Sequence, residues 1–214
     1  MKYKAVLFDL DGVIVTTDEC HYKGWKKLAD EEDIYFDRTI NQRQRGVSRM
    51  ESLEVLLEKA EKEYTESEKN EMAERKNNYY REYIKSLTPD DILPGVMDFC
   101  TMLRENGVKL AIGSSSKNTP TILEGIGLES YFDGVADGNQ ITKSKPDPEV
   151  FLLAAKLVGV DPSDCLVVED AEAGVEAALA GGMDVLGVGD AVKGTNATYK
   201  AENIAKIDAS LIKY

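Results

Sequence analysis

The sequence predicts an α/β fold, a parallel sheet flanked by helices, interrupted by an all-helical insertion. Three observations carry that expectation. Short apolar runs end abruptly in acid or serine; after Pro94 such runs alternate with helical-period segments; and from about Thr17 to Leu87 the chain is polar, charged and without any strand pattern.

The elements follow in order. Lys4 to Leu10 reads as a buried strand, four apolar residues in a row that run into Asp9-Leu10-Asp11-Gly12. In the insertion, Leu53, Leu56, Leu57 and Ala60 share one helix face. Thr65-x-x-Glu68 is a capping box, and the helix it opens is expected to carry Met72, Tyr79, Tyr83 and Leu87 on one side. Pro89 and Pro94 mark the return to the first domain. A helix from about Gly95 to Asn106-Gly107 precedes a strand, Val108 to Gly113, that ends in Ser114-Ser115-Ser116. A helix to about Gly127 and a short strand, Phe132 to Ala136, come next. Asp147-Pro148 supplies an N-cap and an N1 proline for a helix ending at Gly159. Cys165 to Val168 is a strand that ends in Glu169-Asp170, Ala171 to Ala180 a helix, and Val185 to Val188 a last strand. The domains expected are a catalytic core of residues 1–16 and 88–214 and a helical insertion of residues 17–87.

Composition narrows the function. The 214 residues include 30% charged and 43% apolar side chains, enough for a sizeable core and too polar for a membrane protein. A formal net charge of −13 argues against nucleic acid and anionic membranes as partners, since both would be repelled. A small phosphorylated substrate remains compatible if a few cations gather locally. Cys20, Cys100 and Cys165 are widely spaced with no C-x-x-C, so reduced thiols in a cytoplasmic protein are expected. A monomer is the default expectation.

Strand ends in an open α/β sheet face one crevice. Asp9, Asp11, Ser114, Glu169 and Asp170 all sit at such ends, so folding gathers them. Two acidic pairs in one place repel unless a cation intervenes, and their hard oxygens suit Mg²⁺ rather than zinc. With one histidine, His21, a histidine-based metal site cannot be built. Taken alone, Glu169-Asp170 could equally cap the helix that follows. Asp9-x-Asp11-Gly12 does not open an EF-hand, since Ile14 stands where that loop needs glycine. Lys145, before Pro146, can reach a phosphoryl group or a nucleophilic carboxylate, although a solvated lysine is the commoner case. Ser114 offers a hydroxyl, and Ser115-Ser116-Lys117-Asn118 lies at a helix N-terminus, which favours anions.

In this order and context, Asp9-x-Asp11-Gly12, Ser114, Lys145-Pro146 and Glu169-Asp170 resemble the haloacid dehalogenase-like superfamily across essentially the whole chain. The helical insertion is similar to the small cap of its phosphoglucomutase-like branch. Within that cap, Arg45-Gly46-Val47-Ser48-Arg49, with His21, Trp25 and Arg75-Lys76-Asn77, resembles the branch's substrate-specificity segments. Thr16, Arg45 and Ala171 depart from the acid, lysine and serine usual there.

The resemblance implies a Rossmann-like three-layer core with an inserted all-α cap. It implies an intramolecular phosphotransferase acting on a glucose phosphate, with Asp9 as nucleophile and Asp11 as general acid and base. Ser114 and Lys145 would clasp the transferring phosphoryl group. Mg²⁺ would be held by Asp9, the Asp11 carbonyl and Asp170, with Glu169 nearby. His21, Trp25, Arg45, Gly46, Val47, Ser48, Arg49 and Lys76 would contact substrate, joined by Ser115, Ser116, Lys117 and Asn118 at the phosphate that is not reacting. Two other readings share these residues: a sugar-phosphate phosphatase, and a non-catalytic phosphosugar-binding protein, which would be expected to have lost Asp9 or Asp11.

Overall fold

The computed structural model describes residues 2–44, 47–189 and 192–207. The chain forms two compact units, Met1–Thr16 with Thr88–Tyr214, and Thr17–Leu87.

The first unit holds β1 (Ala5–Phe8), β2 (Lys109–Gly113), β3 (Gly134–Ala136), β4 (Cys165–Glu169), β5 (Asp184–Val188) and β6 (Tyr199–Ala201). They make one sheet in the order β3-β2-β1-β4-β5-β6, every pairing parallel. All four residues of β1 are buried, as a central strand covered on both faces requires. Its helices are α5 (Val96–Glu105), α6 (Thr119–Gly125), α7 (Glu149–Val158) and α8 (Glu172–Ala180). Successive side chains of β1 point to opposite faces. Ala5 and Leu7 pack with Phe151 and Ala154 of α7 and Val175 and Ala177 of α8. Phe8 meets Phe99 of α5 edge-on, ring centroids 6.1 Å apart. The sheet is thus the middle of three layers. Register does the positioning: Phe8 lies beside Ile112 on one flank and Val168 on the other. Asp9 therefore emerges level with Glu169, one residue short of Ser114.

Two details depart from the sequence expectation. Pro148 is itself the N-cap residue of α7, and the Asp147 carboxylate accepts from Glu149 N–H at 3.1 Å, so the helix begins one residue later than expected. The sheet also carries β6, which no apolar run announces. It is held from the opposite end of the chain: Lys2 Nζ lies 2.9 Å from both Asp184 and the Tyr199 hydroxyl.

The second unit contains α1 (Asp18–Glu31), α2 (Arg38–Gln42), α3 (Arg49–Leu57) and α4 (Glu66–Ile84). Capping boxes open both longer downstream helices, Ser48 with Glu51 at α3 and Thr65 with Glu68 at α4. Trp25, Leu28, Leu53, Leu56 and Met72 form its core. The stripe that α4 buries is Met72, Ala73, Lys76, Tyr80 and Ile84; of the expected face, Met72 and Leu87 are buried, Leu87 beyond the helix end, while Tyr79 and Tyr83 are only partly buried and are corrected. The cause is the lysine. Lys76 turns inward over aromatic rings, 4.7 Å from Trp25 and 4.9 Å from Tyr80, and an apolar count scores it as surface. Tyr79 instead reaches Glu31 with its hydroxyl.

Candidate active site

In the first unit, the carboxyl edge of β1 and β4 brings Asp9 and Glu169 to one ammonium. Lys145 Nζ stands 2.5 Å from Asp9 Oδ1 and 2.7 Å from Glu169 Oε1. It also lies 4.5 Å from the Phe151 ring. The peptide linking Lys145 to Pro146 is cis. Burial alone would lower the lysine's pKa, but the charges and hydrogen bonds of Asp9 and Glu169 outweigh it and hold the pKa above its ordinary value. Glu169 is itself pushed up, first by burial and then by the charge of Asp9, with Lys145 opposing. Its second oxygen accepts from Ala171 N–H at 2.7 Å. Both Glu169 oxygens are therefore committed to the protein.

The segment after β1 curls back so that Gly12 N–H donates to Val15 O at 2.7 Å. Gly12 has φ +86°, a conformation that favours glycine, and a Cβ there would lie 2.5 Å from Asp170 Cγ. The two acidic motifs are thereby packed against each other. Among the described residues, no three acidic, histidine or cysteine side chains close on a single point. A metal would take its protein ligands from the Asp9 and Asp170 carboxylates and the Asp11 carbonyl, with Glu169 outside the set. That donor set fits a hard divalent cation. Asp9 and Glu169 both meet Lys145, and Asp170 packs against the Gly12 turn beside them, an excess of negative charge that such a cation would offset.

The loop after β2 is braced by its own hydroxyls. Ser114 is 3% exposed, its N–H donates to Ala136 O at 3.0 Å, and its Oγ accepts from Ser116 N–H at 3.2 Å. Ser116 Oγ accepts in turn from Asn118 N–H at 3.2 Å. Ser115 Oγ is buried with no hydrogen-bond partner among the described residues, which leaves the hydroxyl able to bond a ligand.

In the second unit, Lys76 Nζ lies 2.9 Å from His21 Nδ1, and the imidazole stacks on Tyr80 with centroids 4.1 Å apart. Burial, then the charges of Lys76 and Arg49, hold His21 well below its ordinary pKa. A neutral ring with Nδ1 accepting from the ammonium fits both observations. Arg49, about a third exposed, has Glu74 at 3.7 Å, and burial lowers its pKa. Trp25 is 2% exposed within the unit's core. Ser48 spends its hydroxyl on Glu51 N–H while its own N–H donates to the Glu51 carboxylate. Val47 is exposed; Arg45 and Gly46 lie outside the described residues.

Sequence reasoning named the acids and the lysine but missed Phe151 beneath Lys145, Tyr80 beneath His21, and two glycines, Gly113 and Gly174. A Cβ at Gly113 would lie 2.6 Å from Phe151 Cδ1. The available signal was glycine inside a strand and inside a helix, where it is otherwise unfavourable.

The chain belongs to the haloacid dehalogenase-like hydrolase family, which matches residues 3–182. It is 46% identical over 188 residues to the β-phosphoglucomutase of Bacillus subtilis, covering 87% of this chain and 83% of that one. The crystal structure of a β-phosphoglucomutase from Clostridium difficile superposes with a TM-score of 0.88 at 39% identity, covering 98% and 95% of the two chains. A phosphorylated carbohydrates phosphatase of Thermotoga maritima is 30% identical over 208 residues, 95% of this chain and 94% of that one.

Proposed function

We propose that this chain is a mutase that interconverts β-D-glucose 1-phosphate and glucose 6-phosphate, with Asp9 carrying the phosphoryl group in transit. The observation that carries the reading is the Asp9–Lys145–Glu169 chain at the sheet edge, taken with the likeness to two β-phosphoglucomutases.

Lys145 ties down Oδ1 of Asp9, which leaves Oδ2 to bond to phosphorus. As that bond forms, the bond from phosphorus to the sugar oxygen breaks, and Asp11 gives that oxygen its proton. In the return half, Asp11 takes the proton of the attacking sugar hydroxyl and phosphorus passes from Asp9 to it. β-Glucose 1,6-bisphosphate is the species that turns around between the halves. Lys145 and the Ser114 hydroxyl hold the phosphoryl oxygens in line. Magnesium, when bound by Asp9, Asp170 and the Asp11 carbonyl, supplies neutralisation of the crowded anions. Ser115, Ser116, Lys117 and Asn118 take the phosphate that is not reacting, Ser115 with its unpartnered hydroxyl. Arg49, Lys76 and His21 are the cap side chains assigned to the sugar phosphate. Trp25 and Ser48 serve the cap's own packing and capping.

Cytoplasm is the compartment this reading requires, where sugar phosphates and free thiols coexist. Cys20, Cys100 and Cys165 form no disulfide among the described residues, and burial pushes the Cys100 and Cys165 thiols up to about 12. No helix among the described residues is long and apolar enough to cross a membrane. A monomer suffices for the chemistry.

A phosphatase would use the same Asp9 and let water accept the phosphoryl group, and the Thermotoga relative keeps that reading in play. Supplying β-glucose 1-phosphate with a catalytic amount of bisphosphate separates the two. The expected product is glucose 6-phosphate without stoichiometric inorganic phosphate. Asp9→Asn is expected to lose both turnover and labelling by acetyl phosphate. Phosphate released as fast as substrate disappears would make the chain a phosphatase. Equal use of the α anomer would remove the substrate assignment.

A further inference from the structure

The slot in which the Glu169 carboxylate rests is made by an atom that is missing. Gly174 is buried within α8, and a Cβ built on it would fall on Glu169 Oε1 and Cδ and lie 2.6 Å from Cγ, all far inside van der Waals contact. Oε1 is the oxygen that accepts from Lys145 Nζ at 2.7 Å, and Lys145 in turn holds Asp9 at 2.5 Å. Nothing in the backbone of Gly174 demands glycine. It is not among the residues with positive φ, and alanine is the better helix former by about 1 kcal/mol. The helix therefore carries an unfavourable residue where its only evident use is to admit a carboxylate.

We infer that Gly174 is a positioning residue for phosphoryl transfer, acting through Glu169 and Lys145 on Asp9. The inference rests on the reading of Asp9 as nucleophile. With a methyl group at 174 the Glu169 side chain must leave its slot, because its oxygens cannot share that volume. Lys145 then loses one of its two acceptors and its fixed distance to Asp9. Misplacement of a reacting group by about 1 Å can cost about 100-fold in rate. The effect falls mainly on the transfer step, because Lys145 acts at the phosphoryl group in transit, while the groups assigned to the sugar and to the phosphate that is not reacting stay in place.

The test is Gly174→Ala made in the full chain in two backgrounds, wild type and Glu169→Ala. Two quantities are followed, the rate of Asp9 labelling by acetyl phosphate and kcat against KM for glucose 6-phosphate formation. In the wild-type background Gly174→Ala is expected to lower labelling and kcat at least about tenfold while KM moves less than about threefold. In the Glu169→Ala background the methyl has an empty slot to enter, so the same substitution is expected to cost nothing further in either quantity. Should Gly174→Ala alone fail to fold, the double variant folding as well as Glu169→Ala would support the steric origin. An equal penalty in both backgrounds, or a double variant that fails to fold where Glu169→Ala folds, overturns the inference. Wild-type protein that takes no phosphoryl group on Asp9 would instead remove the functional reading beneath it.

Discussion

Two lysines are drawn out of water in this chain by different means. Lys145, its side chain 9% exposed, is met by two carboxylates. Lys76, 3% exposed, faces two aromatic rings and the imidazole of His21. The first arrangement favours the charged lysine outright. The second forces the neighbour to stay neutral, since a protonated His21 would set two cations against each other in a crowded site, with Arg49 of α3 adding a third. That has a consequence for stability. The His21 pKa in the folded chain lies below its unfolded value of about 6.5. Above that pH neither state takes the proton, and this contribution is constant. As pH falls below it, only the unfolded chain protonates, so stability falls by up to about 1.4 kcal/mol per pH unit until the folded pKa is reached. Urea melts of wild type and His21→Asn at pH 7.5, 6.5 and 5.5 measure this. The wild type is expected to lose stability on acidification more steeply than the variant. Equal slopes would mean that His21 titrates normally in the fold.

Among the elements, α4 concentrates the cap's local design. Thr65 Oγ1 accepts from Glu68 N–H while the Glu68 carboxylate takes Thr65 N–H at 2.7 Å, so two otherwise unsatisfied donors at the helix start are met. Thr65→Ala removes one of these bonds and is expected to cost about 1 kcal/mol of cap stability. Trp25 is the chain's one tryptophan and sits in the cap core, so its fluorescence reads that loss directly. An unchanged midpoint would mean that the first turn of α4 frays before the cap unfolds. The capping box was legible because it is a local signal, four residues long. So were β1 and β4, as apolar runs stopped by acids. What stayed hidden was fixed by approach in space. The inward turn of Lys76 depends on rings from α1; β6 depends on Lys2 and Asp184, far away in the chain. At the site, sequence order suggested the acids and Lys145, but Glu169 Oε1 facing a lysine and Oε2 facing Ala171 N–H required the folded register. The same holds for Gly174, whose meaning is the space it leaves.

At the scale of the whole molecule, two units with separate cores raise the question of how cooperatively they unfold. Thr17–Leu87 is a small unit whose core is built from Trp25, Leu28, Leu53, Leu56 and Met72 with partly buried neighbours. Small units bury a lower fraction of the surface their unfolded chains expose, about 60% for 60 residues against nearly 70% for 150, and are correspondingly marginal. The larger unit has a six-stranded parallel sheet covered on both faces, and most of its strand residues are fully buried. Such a sheet opens only as a whole, because each central strand loses both neighbours at once. The expectation is that the cap gives way first. In a urea titration, Trp25 fluorescence should pass its midpoint before far-UV circular dichroism completes its change, and Thr65→Ala should widen the gap by moving the fluorescence midpoint alone. Coincident transitions in wild type and variant would mean that the cap is stable only while the sheet is. Its helices would then belong, thermodynamically, to a single folding block.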